Sequence, residues 1–123
     1  MEIIAAFLVT FVGCEHLAIM LIEMFASPQK QAEYFDLSVD YTKQRPARIA
    51  MANQGIYNGM LGFLILVSYW LLPRTYHLVV TQLLMIFVVV VALYGGFTVS
   101  RKVWSMQMLP AVLAGAAVGF CIL

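Results

Sequence analysis

Four apolar stretches, each long enough as a helix to cross the hydrocarbon of a bilayer, constrain this chain more than any other feature of it. The first runs from Ile3 to Phe25 and the second from Ile49 to Leu72, just before Pro73. The third runs from His77 to Val99 and the fourth from Met106 to Leu123. Hydrocarbon offers no water to peptide groups, so a segment of this length must satisfy its own backbone as a helix. The pattern predicts an all-α fold, a four-transmembrane-helix bundle built as one domain from residues 1–123. Composition agrees: only 11% of residues are charged and 63% are hydrophobic, whereas a soluble domain carries about a quarter charged residues. The predicted environment is a lipid bilayer.

That composition also excludes function classes. Seven Lys and Arg against six Asp and Glu leave a net charge of +1, with no basic field to hold nucleic acid. No glycine-rich phosphate loop, CxxC pair or HExxH helix is present, so no cofactor is called for. No metal is expected either, because His16 and His77 fall toward opposite faces of the membrane. Cys14 and Cys121 lie inside apolar segments and read as small hydrophobic residues. Glu2 stands where a signal peptide would carry basic residues, and no small-residue cleavage site follows, so a cleavable signal is not expected.

The connections set the orientation. Ser27 to Arg48 is the one extended polar stretch, and within it Ala32–Phe35 and Leu37 predict a short amphipathic helix lying at the interface. The links at Pro73–Tyr76 and Ser100–Ser105 are short, which makes helices three and four antiparallel neighbours. Lys30, Lys43, Arg45, Arg48, Arg101 and Lys102 fall on one side, and Arg74 alone falls on the other. The positive-inside rule then puts the long loop between helices one and two in the cytoplasm and both termini outside, in a multi-pass protein of the plasma membrane. Ala52, Gly55, Gly59 and Gly62, and separately Ala111, Gly115 and Gly119, form stripes of small residues that predict close helix packing.

Polar residues inside apolar helices carry the functional signal, because a charge at the bilayer centre costs about 2.5–3.5 kcal/mol on insertion scales. Glu15, His16 and Glu23 lie in the first helix. His16 and Glu23 share one stripe about 10.5 Å apart, and Glu15 sits roughly 100° to the side. The second helix begins with Asn53, Gln54, Tyr57 and Asn58, the third ends with Tyr94 and Thr98, and the fourth begins with Gln107. All lie in the same half of the membrane, and the simplest geometry has them converge on one pocket.

Asn, Gln and Tyr supply neutral donors and acceptors for a polar head group, and a histidine beside carboxylates is an acid/base pair. The leading reading is a pocket for a hydrophobic or lipid-like small molecule. In it His16 would act as acid/base to move protons on the ligand, with Glu15 or Glu23 as its partner. Asn53, Gln54, Tyr57, Asn58, Tyr94, Thr98 and Gln107 would form the binding shell. The alternative is a small proton-coupled transporter working as a homo-oligomer, a dimer, through Glu15. A third reading is a hydrogen-bond network that locks the four helices together.

Several of these residues also form recognisable runs. Glu15-His16, Glu23-Met24-Phe25 and Asn53-Gln54-Gly55-Ile56-Tyr57-Asn58-Gly59, followed by Tyr94-Gly95-Gly96-Phe97-Thr98 and Gln107-Met108-Leu109-Pro110-Ala111, span nearly the whole chain. In them the chain resembles the small membrane proteins of domain-of-unknown-function family 1304. The resemblance implies a four-helix membrane protein and brings no activity with it.

The orientation has a direct check. Single cysteines introduced at Ser38 and Thr75, after removal of Cys14 and Cys121, are expected to label from the cytoplasmic and the outer side respectively. Labelling of Thr75→Cys from the cytoplasm would invert the topology.

Overall fold

The computed structural model describes residues 1–123 and consists of helices alone. Four of them are long and apolar enough to cross a membrane. Helix α1 spans Glu2–Phe25, α4 Arg45–Trp70 and α5 Arg74–Thr98; a π-helical turn at Trp104–Met108 leads into α6, Leu109–Ile122. Two short helices, α2 (Pro28–Phe35) and α3 (Val39–Thr42), occupy the long connection. The chain is thus a multi-pass membrane protein, and each expected span is found with its ends shifted by a few residues.

Local chemistry explains where these elements stop. Ser27 caps α2 by accepting from the backbone N–H of Lys30, with Pro28 at the first turn. Asp36 ends α2 in the left-handed conformation, at φ 54°, the one positive φ outside glycine. Ser38 caps α3 in the same way through the N–H of Tyr41. The π turn immediately precedes Pro110, whose ring leaves the carbonyl four residues earlier without its usual N–H partner.

The long helices form a ring in which α1 packs on α4 and α6, and α5 packs on α6 and α4. Alanines and valines, with Ile65 and Met85, fill its centre: Ala5, Val9 and Val12 of α1 meet Ile65 of α4, Met85 and Val88 of α5, and Ala111, Ala114 and Val118 of α6. Without a hydrophobic effect between helices in lipid, such close backbone approach supplies the attraction.

The closest approach lies between α1 and α4. A Cβ on Gly62 would sit 2.6 Å from the carbonyl oxygen of Gly13, which is backbone and cannot move aside. A Cβ on Gly59 would meet only the side chain of Met20, which can swing away. The stripe on α4 is therefore found at Gly55, Gly59 and Gly62, with Ala52 half-buried at its end and Gly62 the point where backbone meets backbone. On α6 the stripe holds for Ala111 and Gly115, both buried, whereas Gly119 has open space beside it. Gly96 serves a different contact: the indole of Trp104 fills the space its side chain would take. That indole donates to the carbonyl of Leu93 at 3.2 Å and lies edge-on to Phe97.

Gly62→Ala is expected to lower thermal stability by an overpacking penalty of about 1–3 kcal/mol, and Gly59→Ala by clearly less. Circular dichroism melts of the two variants in one detergent check the order; equal melts would place the close crossing elsewhere.

Candidate functional site

The crossing of α1 and α4 decides where each polar residue of α1 points. His16 lies one turn from Gly13 and is only 2% exposed, packed against Gly62. Its Nδ1 is 2.9 Å from the carbonyl oxygen of Val12, a bond that stays within its own helix. Glu23, two turns on, is 7% exposed and accepts a 2.7 Å hydrogen bond from the amide of Asn58 on α4. These two residues belong to the α1–α4 interface.

Glu15, set about 100° around the helix, leaves that interface and faces the π turn. It is half-buried and heads a cavity of about 200 Å3 between α1, the π turn and the α2 segment. Ala18, Ile19, Ile22, Val103 and Met106 make its apolar walls, with Gln107 as a second polar group. Tyr34 and Phe35 of α2 line it from the loop end, beside Ser100 and Lys102. One carboxylate oxygen of Glu15, Oε2, is buried without a hydrogen-bond partner.

A strap closes this end of the bundle. Asp36, at the end of α2, accepts from Ser100 and pairs with Lys102 at 2.5 Å. Gln31 is buried beneath the strap and donates to the carbonyl of Glu23 (2.9 Å), an acceptor that the end of α1 leaves unpaired, and to that of Ile22 (3.2 Å), which it shares with the backbone N–H of Ala26. Thr42 ties α3 back by donating to the carbonyl of Pro28 at 2.8 Å. Lys102, the cation beside the cavity, is thereby already engaged.

The expected single pocket is corrected by this geometry. Of the residues expected to line it, Glu15 and Gln107 reach the cavity. His16, Glu23 and Asn58 lie in the α1–α4 contact instead. Asn53, Gln54 and Tyr57 are exposed on the outer side of α4, Tyr57 at 67%. Tyr94 and Thr98 are exposed as well, the Thr98 hydroxyl donating to the Tyr94 carbonyl. The reason is angular. With Gly55, Gly59 and Gly62 turned toward α1, Asn58 falls at the edge of that face, while Asn53 and Tyr57 fall roughly opposite it. Equal depth in the membrane does not bring side chains together when they leave the helix in different directions.

The sequence does not mark Gln31, Asp36, Ser100 and Lys102 as neighbours of the site, because they lie in connections and no spacing rule links Asp36 to Ser100, 64 positions away. The amphipathic segment around Ala32–Phe35 was the available signal. No group of three or more His, Cys, Asp or Glu side chains converges.

Comparison with known proteins gives the same extent of likeness as the sequence runs. The family model described as "Protein of unknown function (DUF1304)" matches residues 10–119. The uncharacterized protein YpaA of Lactococcus lactis subsp. lactis (strain IL1403) is 31% identical over 115 residues, covering 93% of this chain and 95% of that protein. No solved structure matches.

Ion pairing and hydrogen bonding from Lys102, then from Ser100, hold the Asp36 carboxyl below its ordinary range. A carboxyl with a depressed folded pKa stabilises above its unfolded value, near about 3.9 for Asp, and loses that contribution as pH falls through the folded value. Spin labels at Ser38 and Arg101 should therefore give a narrow distance distribution at neutral pH that broadens in acid below about pH 4. Asp36→Asn should be broad at both, and a distribution indifferent to acid and to that substitution would show the strap to be held by other contacts.

Proposed function

The chain belongs to the DUF1304 family of proteins of unknown function, and from that premise we propose that it binds a hydrophobic or lipid-like small molecule in the cavity headed by Glu15. The observation that carries this reading is a largely apolar space lined by Glu15, a carboxyl group with no hydrogen-bond or ion-pair partner in the protein. A network that only locked helices together would leave its polar atoms paired and no space beside them. His16, Glu23 and Asn58 each make a hydrogen bond within the protein; Glu15 makes none.

In this reading proton transfer on the ligand rests on Glu15, since His16 faces α4. The cavity walls lie in the half of the bundle that carries the strap, which supports access from one side over the two-sided access that a proton-coupled transporter needs. Six of the seven basic residues cluster at that end, which supports a cytoplasmic mouth, both termini outside and a plasma-membrane location. Asn53, Gln54 and Tyr57 turn outward about 12–18 Å along α4 from Arg45. Polar side chains there support a homo-oligomer in which they pair across copies.

Native mass spectrometry of the full chain ejected from nanodiscs tests the binding reading. A defined small-molecule adduct is expected, and Ala18→Phe, which projects a ring into the cavity, should remove it while the helix content holds. Wild-type protein free of any adduct, or an adduct that survives Ala18→Phe, contradicts the reading.

A further inference from the structure

We infer that the ligand of this cavity is a compact hydrophobic amine, bound as its ammonium ion against the carboxylate of Glu15. The inference rests on the binding reading above and names its ligand class.

Three observations lead there. The cavity of about 200 Å3 is smaller than the roughly 300–1,000 Å3 of sites for drug-sized molecules, so its occupant is compact. Its walls at Ala18, Ile19, Ile22, Val103 and Met106 are aliphatic, so the body of the occupant is apolar. Its polar groups are unbalanced. Lys102 is the cation that lines it, and Asp36 already holds that ammonium. Glu15 has an oxygen with no donor at all.

A carboxylate removed from water requires a donor, and a charged donor satisfies it about twice as strongly as a neutral one. An ammonium head supplies both the charge and the N–H groups that the Glu15 carboxylate lacks within the protein, and the Gln107 amide offers a further acceptor among the lining residues. A neutral alcohol offers one weaker bond. A carboxylic acid in its ionised form places like charge against Glu15 and is rejected. Depth sharpens the choice: Glu15 lies about 15 Å along α1 from Phe25, at a level where lipid head groups do not reach. An ammonium buried there is held by the ion pair, with its apolar body against the aliphatic walls.

Three probes that share one rigid apolar body test the assignment: 1-adamantylamine, 1-adamantanol and 1-adamantanecarboxylate. They are titrated calorimetrically into full-length protein in nanodiscs, with the heats of empty nanodiscs subtracted. The amine is expected to bind saturably, at least roughly tenfold more tightly than the alcohol, and the carboxylate more weakly than both. Glu15→Gln should weaken the amine by a similar factor and the alcohol by much less, because the amide oxygen still accepts from a hydroxyl, and the far-UV circular dichroism of the variant reports that it is folded. The wild-type series stands without the variant. Equal affinities for amine and alcohol, or an amine affinity unmoved by Glu15→Gln, overturn the amine assignment and leave binding in the cavity standing. No saturable heat from any of the three overturns the amine assignment, and an absence of a co-purified adduct as well overturns the binding reading beneath it.

Discussion

The backbone approach of Gly62 on α4 to Gly13 on α1 is the contact on which the arrangement of polar groups depends. In lipid, two helices gain from proximity only if their surfaces let them come close, and a carbonyl 2.6 Å from the site of a missing Cβ leaves no freedom in how they meet. Once that register is set, the rotation of α1 about its own axis is set too. His16 and Glu23 must enter the α1–α4 contact, and Glu15, about 100° away, must leave it. Asn58 receives Glu23 because it borders the glycine face of α4. One steric fact thus sorts three neighbouring ionisable residues into two that join helices and one that faces a cavity.

The strap completes that cavity by a different kind of interaction. Ser27 and Ser38 shape the connection by capping, and Gln31 closes the end of α1 by bonding the spare carbonyl of Glu23 and sharing that of Ile22. Asp36 then anchors the connection to Ser100 and Lys102 across the bundle. These last contacts are exposed and electrostatic, in contrast to the glycine crossing, and salt and acid weaken them. The bundle therefore pairs a rigid contact within the span with a closure at its edge that responds to conditions. Phe35 and Tyr34, carried on the strap, line the loop end of the same space that Glu15 heads.

The spans were legible because hydrocarbon thickness dictates their length, and Pro73 marked one boundary outright. The small-residue stripe on α4 was legible for a similar reason: few residue types permit close approach, so Gly55, Gly59 and Gly62 declared their face. The candidate site was only half legible. Polarity at depth marked Glu15, His16 and Glu23 as unusual, but it carries no direction, and the expectation of one common pocket joined residues that leave their helices on different arcs. The glycine face held the missing information, since it fixes which arc of α4 meets α1 and turns Asn53 and Tyr57 away. Contacts between Asp36 and Lys102 lay beyond sequence reasoning, because loop ends are brought together by the bundle and not by any periodicity.

The division of labour among the ionisable residues of α1 is tested most directly by thermal unfolding of Glu15→Leu and Glu23→Leu side by side in the same nanodiscs, without added ligand. Glu23→Leu leaves the half-buried Asn58 amide at the edge of the α1–α4 contact without its acceptor and should lose stability of the order of 1–3 kcal/mol, the range for an unsatisfied buried donor. Glu15→Leu removes a buried oxygen that has no partner, so its melting temperature should stay level or rise. A loss in Glu15→Leu as large as that in Glu23→Leu would contradict the account, by showing that Glu15 too holds the helices together.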